Sequence, residues 1–102
     1  MGPRRHCLWG LLVLASAPAA LGAADAEQAR QLAERGEIIG LEKLLEQVQR
    51  QYPGRVIEVE LDRGKRRWIY ELELVDADGR VWEMEFDAST GELLEREMED
   101  DD

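Results

Sequence analysis

Apolar and polar side chains alternate between residues 68 and 86, where the chain reads WIYELELVDADGRVWEMEF. This alternation is typical of β-strands, because successive side chains point to opposite sides of a sheet. The turn residues 76–79, DADG, interrupt it and predict a β-hairpin. One face of the hairpin is apolar, and the rest of the domain is expected to cover it. That face carries Trp68, Tyr70, Leu72, Leu74, Trp82, Met84 and Phe86.

Two further stretches predict strands beside the hairpin. Residues 55–62, RVIEVELD, alternate in the same way, and a short last strand is expected over 92–98 after the polar turn 87–91. The pattern therefore predicts three or four antiparallel strands joined as a meander. In the first strand the apolar phase is Ile57, Val59 and Leu61, and the opposite phase is Val56, Glu58 and Glu60.

Helical periodicity precedes the strands. A short, weakly amphipathic helix is predicted over 25–35 and ends at Gly36. The main helix follows and ends at Pro53-Gly54. Together with the strands, the helices predict an α+β domain in which one or two N-terminal helices pack on one face of a three- to four-stranded antiparallel meander sheet. The main helix has an apolar stripe at i, i+3, i+4, i+7 and i+11, formed by Leu41, Leu44, Leu45, Val48 and Tyr52.

The first 24 residues have the features of a secretory signal peptide. Arg4 and Arg5 precede the apolar run 8–17, and small residues follow that run. Cleavage is expected after Ala24, with a cut after Gly22 as the alternative. An uncleaved anchor is less favoured, because the run is shorter than the roughly 20 residues that span a bilayer. A twin-arginine signal fits the flanking residues less well than ordinary general secretion.

Cleavage leaves a single domain, residues 25–98, followed by an acidic tail, 99–102, that is expected to be disordered. The mature protein would be periplasmic or secreted, without a stable membrane anchor. Cys7 and His6, the only cysteine and histidine of the chain, would leave with the leader. The mature domain would then have no disulfide and no thiol or imidazole for catalysis or soft-metal binding. No cofactor and no metal site are expected.

Charge limits the possible partners and indicates a candidate surface. Of 13 basic residues, 11 remain after loss of Arg4 and Arg5, against 23 acidic ones, which gives a net charge of −12. Nucleic acid and anionic lipid are therefore disfavoured, and a protein with a basic surface is favoured. For the polar sheet face itself, a solvated surface that resists aggregation is the favoured interpretation, and a docking surface for a basic protein is the alternative. The candidate partner-binding residues on the polar sheet face, with Val56 as a further apolar member, are Glu58, Glu60, Ile69, Glu71, Glu73, Val75, Val81, Glu83 and Glu85.

Three other features are interpreted as structural. The DADG turn lacks the third acidic position and the glycine offset of a calcium loop. Trp68 and Trp82 lie on the inward strand face, where aromatic residues form core more often than they stack a ligand. A solvated turn is favoured over a site for an acidic partner at the basic cluster, which comprises Arg63, Lys65, Arg66 and Arg67.

The order of these segments is similar to the PepSY domain family. The similarity extends from about residue 38 to 94, through YPG, RVIEVEL and WIYELELVDADGRVWEMEFDASTGELL. Its best marks are Tyr70-Glu71-Leu72, Asp78-Gly79 and the turn 87–92, which are features of a fold and not of a catalytic site. The resemblance implies a PepSY-like fold and a non-catalytic module that binds or inhibits a peptidase.

The functional classes that remain differ in their partner. No peptidase sequence follows the domain here, so any inhibition is expected in trans. The alternative is an accessory or sensor subunit that reports envelope conditions to a membrane receptor. An enzyme is least favoured, since only carboxylates would serve as acid and base and the pattern places them on an open face.

Overall fold

The computed structural model describes residues 21–99. The predicted signal peptide up to residue 20 and the end of the acidic tail, 100–102, lie outside the described residues. Two helices are followed by one antiparallel sheet with the strand order β1-β2-β3-β4, which confirms the α+β meander. The elements are α1 Ala23–Glu34, α2 Leu41–Gln51, β1 Arg55–Arg63, β2 Trp68–Val75, β3 Val81–Asp87 and β4 Leu93–Met98.

The apolar face of the hairpin forms the centre of the core, as the alternation predicts. Tyr70 pairs with Phe86 across β2 and β3, and both side chains are fully buried. Helix α2 covers this face with Leu44 and Val48, which are also fully buried in the same cluster. Leu45 packs at the border of the cluster and is only half-buried. The helix stripe therefore has the predicted direction, with its centre at Leu44 and Val48.

A β-bulge in β1 corrects one prediction. Val56 pairs with Leu74, and Glu58 pairs with Glu73, the neighbour of Leu74 in β2. Ile57 is therefore an extra residue in β1. Paired residues share a sheet face, and Val56 packs against the core. The prediction that Val56 shares the face of Glu58 is therefore wrong. Ile57, expected on the apolar phase, is the half-buried extra residue.

The chain enters β1 in very close contact with β2. At Gly54, which has φ +141°, a Cβ atom would lie 2.5 Å from the carbonyl oxygen of Val75 and 2.7 Å from a methyl group of Leu74. Only glycine fits this position, because it has no Cβ and accepts a positive φ. The tight entry fixes where β1 begins against β2, and the bulge that follows restores the alternating phase for the remainder of the strand.

The segment between the helices belongs to the core. Helix α1 ends at Gly36, as predicted, with φ +78° and a hydrogen bond from its N–H to the carbonyl oxygen of Ala33. Ile38 follows and is buried. The Ile39 N–H donates to the carbonyl oxygen of Ala88 at 2.7 Å, and the Tyr70 hydroxyl donates to the carbonyl oxygen of Ile39 at 2.9 Å. These bonds attach the interhelical segment to the sheet.

Candidate functional site

The second sheet face, which we call the outer face, carries two rows of glutamates that cross all four strands. Within a row, each glutamate lies opposite the next one on the neighbouring strand. Neighbouring strands are about 4.8 Å apart, so the carboxylates of each row are crowded. The first row is Glu58, Glu73, Glu83 and Glu97, and the second row is Glu60, Glu71, Glu85 and Glu95.

Apolar residues lie at both ends of the outer face. Val75 pairs with Val81 beyond the first row, and Ile69 lies beyond the second row, opposite Asp62 of β1. The valines and the isoleucine are half-buried. Arg55 pairs with Val75 at the valine end. The structure thus brings all nine candidate residues onto one face, while their role in binding stays a prediction.

The contribution of β4 to this face was not predicted from the sequence. Glu95 pairs with Glu85, and Leu93 pairs with Phe86, so Leu94 is an extra residue in a second bulge. The adjacent leucines conceal the strand phase in the sequence. The signal that was available is the spacing of Glu95 and Glu97, which repeats the two-residue period of the glutamates in the other strands.

A groove of about 220 Å³ lies over the two rows. Glutamates of all four strands line it, together with Leu72 and Met84 of the central strands. Since these two side chains are buried in the core, it is the β2–β3 backbone that forms the groove floor. The glutamates of the edge strands β1 and β4 lie on either side of this floor.

Burial and crowding change the acidity of the outer face. Burial raises the pKa of Glu71 above its usual value of 4.5, and the negative charge of Asp62 adds to the effect. Burial also raises the pKa of Glu85, and Glu95 is its largest charged contributor. Both effects disfavour the ionised carboxylate. Positive charge brought by a partner would relieve the repulsion.

A set of three carboxylates offers the arrangement closest to a metal site among the described residues. Oxygen atoms of Glu73, Glu83 and Glu99 lie within 4.8 Å of one another. Carboxylate oxygens suit hard cations such as Ca²⁺ or Mg²⁺. Exposed acidic groups also cluster without a metal, so this arrangement by itself does not define one.

The DADG segment forms the hairpin turn that was predicted. Both oxygens of the Asp76 carboxylate accept hydrogen bonds: Oδ1 from the N–H groups of Asp78 and Arg80, and Oδ2 from Nε1 of Trp82 at 2.9 Å. The Trp82 hydrogen bond is the main cause that lowers the pKa of Asp76 below its usual value. The carboxylate organises the turn, as the structural interpretation expects.

Half of the basic cluster is engaged within the domain. Arg67 forms an ion pair with the buried Asp87 at 2.8 Å, and the guanidinium of Arg63 lies 5.0 Å from the ring centroid of Trp68. Lys65 and Arg66 are exposed. Two of the four cluster residues, Arg63 and Arg67, therefore attach the β1–β2 turn to the sheet.

Both tryptophans pack against the core, as the structural interpretation predicts. Arg96 of β4 lies over the Trp82 ring at 4.4 Å and over the Tyr52 ring at 5.7 Å. The guanidinium of this exposed arginine thus covers the border of the apolar face through cation–π contacts with the two rings. The sequence pattern gave no indication of this role.

These features define a class of protein, a two-layer α+β module with helices on one sheet face and an open acidic face opposite. The chain belongs to the PepSY family, since the family model described as "Peptidase propeptide and YPEB domain" matches residues 38–97. PepSY domains are generally non-catalytic modules. Comparisons with curated proteins and with solved structures gave no significant match. Within residues 21–99, no helix is both long enough and apolar enough to cross a membrane.

Proposed function

We propose that this PepSY-domain protein is an exported, non-catalytic module that binds another exported protein in trans and regulates it. A peptidase is the first candidate partner, because the family description names peptidase propeptides. The observation that carries the proposal is the outer face, where two rows of glutamates cross all four strands on the side opposite the described helices. A face of this charge complements a basic protein surface.

Electrostatics explains how such a face would act. Complementary charge speeds the encounter of two proteins and disfavours partners of the wrong sign. On binding, positive side chains would replace the repulsion among the glutamates with attraction. Inhibition of a peptidase would follow where its basic surface borders the substrate cleft.

A second candidate function is an accessory subunit that reports envelope conditions to a membrane receptor. The raised pKa values of Glu71 and Glu85 favour it, because the charge of the outer face would then change under mild acidification. Recovery of the domain with a receptor from solubilised membranes would distinguish this function from peptidase binding.

Export is part of the proposal and has its own test. Intact-mass analysis of the periplasmic protein is expected to give an N-terminus at Asp25, or at Ala23 as the second choice. Helix α1 begins at Ala23, so the second cut would leave the whole helix in the mature protein. A full-length species that retains Met1 in the membrane would contradict export with cleavage.

Capture of the partner tests the function. Tagged mature domain is incubated with an envelope extract, and bound proteins are identified for wild type, for Glu71→Lys/Glu73→Lys and for the control Glu46→Lys/Glu92→Lys. The control makes the same change of net charge at exposed positions outside the glutamate rows. Wild type and control are expected to capture the same protein, and the outer-face variant is expected to lose it. Capture by all three folded proteins would rule out the outer face as the contact surface.

A further inference from the structure

We propose that the outer face binds an extended segment of the partner in which two basic side chains are flanked by two apolar ones, at every second residue. This inference rests on the proposed function and specifies the partner of the same face. Charge complementarity to the glutamates explains why the segment would carry basic residues. The order of apolar and acidic residues along the strands determines where its apolar residues would lie.

Along β2, the residues of the outer face follow the order apolar, acidic, acidic, apolar. Along β2 the outer-face positions are Val75, Glu73, Glu71 and Ile69, and β3 presents Val81, Glu83 and Glu85 at the first three of these levels. The valines and Ile69 keep part of their surface exposed, which gives each end an apolar contact. A partner with basic residues throughout would leave these ends unmatched, whereas apolar side chains would cover them.

The spacing selects an extended segment over a helix. Successive outer-face positions along a strand are two residues apart, or about 6.8 Å, and an extended peptide repeats the same distance between side chains on one side. In an α-helix, four residues rise about 6 Å but turn the side chain by about 40° beyond a full circle. Side chains at four-residue intervals along a helix would therefore rotate progressively away from the groove. In an extended segment, all four side chains stay on the side that faces the groove.

The groove shape agrees with one segment lying along the central strands. Its floor is the β2–β3 pair, and glutamates of β1 and β4 line it on both sides. Each basic side chain of the segment would enter one of the two glutamate rows. It would then be approached by carboxylates from several strands at once.

Two peptides of equal composition test the inference with the mature domain. The first, Gly-Val-Ser-Lys-Ser-Arg-Ser-Ile-Gly, has the proposed order, and the second, Gly-Lys-Ser-Val-Ser-Ile-Ser-Arg-Gly, exchanges the basic and apolar positions. Titration calorimetry or fluorescence anisotropy is expected to show about tenfold tighter binding of the first peptide, because only it buries both apolar side chains while its charges are paired. Equal affinities would mean that charge alone decides binding and would overturn the inference.

Variants locate the bound peptide. Glu71→Gln/Glu85→Gln is expected to weaken binding of the first peptide, and Ile69→Ser or Val81→Ser to reduce the preference between the two peptides. Glu46→Gln/Glu92→Gln, which removes the same charge at exposed positions outside the glutamate rows, is the matched control and is expected to bind like wild type. Circular dichroism verifies that each variant is folded. An unchanged preference in folded outer-face variants would place the peptide elsewhere, for instance on the β4 edge, and would refute the inference.

Failure of the inference and failure of the proposed function are distinguishable. If the domain captures an exported protein and the first peptide displaces that protein from the domain no better than the second, the function stands and the inference fails. If the peptides are discriminated as expected and the domain captures no exported protein, the outer face has the proposed preference and the regulatory function is refuted.

Discussion

Glu71 is the residue at which the repulsion of the outer face is concentrated. It is half-buried in the second row, between Glu60 of β1 and Glu85 of β3. Like charges directly opposite each other in a sheet are destabilising. The fold therefore tolerates this carboxylate at a cost in stability.

Replacement of this carboxylate is expected to stabilise the domain. Glu71→Gln keeps the size and removes the charge, so the free energy of unfolding should rise by about 0.5 kcal/mol at low salt. Urea unfolding with and without added salt measures it, and the gain should shrink at high ionic strength. Glu46→Gln, on exposed helix surface, should change stability little. A lower free energy of unfolding in Glu71→Gln than in wild type would contradict this expectation, because it would show that the ionised carboxylate stabilises the fold.

Asp87 is a residue of the opposite kind, a buried carboxylate that stabilises a turn. Its Oδ1 accepts hydrogen bonds from the N–H and the hydroxyl of Ser89, and its Oδ2 accepts one from Arg67. The Ser89 hydroxyl is the main cause that lowers the pKa of Asp87. These bonds secure the DASTG turn, which was assigned from the sequence to short polar residues and glycine.

Asp87→Ala should therefore destabilise more than removal of its ion-pair partner. The substitution leaves partly buried donors without their acceptor, which costs about 1–3 kcal/mol. Arg67→Ala removes a side chain that is 49% exposed, and its cost should stay below about 1 kcal/mol. Thermal unfolding of the two variants gives the comparison. Equal losses would mean that the ion pair, and not the bonds to Ser89, secures the turn.

Helix α2 stabilises the fold through very few positions. Leu44 and Val48 are fully buried against the sheet, while Leu45 and Leu41 lie at the border of the core. The periodicity identified the stripe but not its depth, because depth depends on how the helix sits on the sheet.

Leu44→Ala should lower the free energy of unfolding by about 2–5 kcal/mol, since it removes buried methyl groups and leaves a cavity. The matched control is Leu94→Ala, which shortens a leucine that is 39% exposed in β4. Chemical unfolding should show a large loss for the first and little for the second. If both variants unfold like wild type, the contact between α2 and the sheet has been misassigned.

The strands and their faces could be read from the sequence because the two-residue period depends only on local residue order. The exceptions arise where distant contacts decide. The bulge at Ile57 follows the close approach of Gly54 to β2, and the bulge at Leu94 interrupts the phase of β4. Ile38 lies between the two predicted helices, and its burial could not be predicted because it requires the sheet that forms later in the chain. The β4 glutamates were missing from the predicted face because the two adjacent leucines conceal the phase of that strand.

At the scale of the whole molecule, two sets of carboxylates change the stability of the domain in opposite directions as pH changes. Glu71 and Glu85 have folded-state pKa values above the usual 4.5, so their contribution to stability is fully present below 4.5 and is lost as pH rises through the folded pKa. Asp76 and Asp87 have folded-state pKa values below the usual 3.8, so their contribution is present above 3.8 and is lost as pH falls.

Stability should therefore increase as pH is lowered from 7 toward 4.5 and decrease again below 3.8. Urea unfolding of the mature domain across this range, at constant ionic strength, measures the profile. In Glu71→Gln/Glu85→Gln the increase between pH 7 and 4.5 should largely disappear, while the loss below 3.8 should remain, because Asp76 and Asp87 are unchanged. Glu46→Gln should keep the wild-type profile. A wild-type stability that only falls between pH 7 and 4.5, or an unchanged increase in the double variant, would show that the outer-face glutamates do not control the profile.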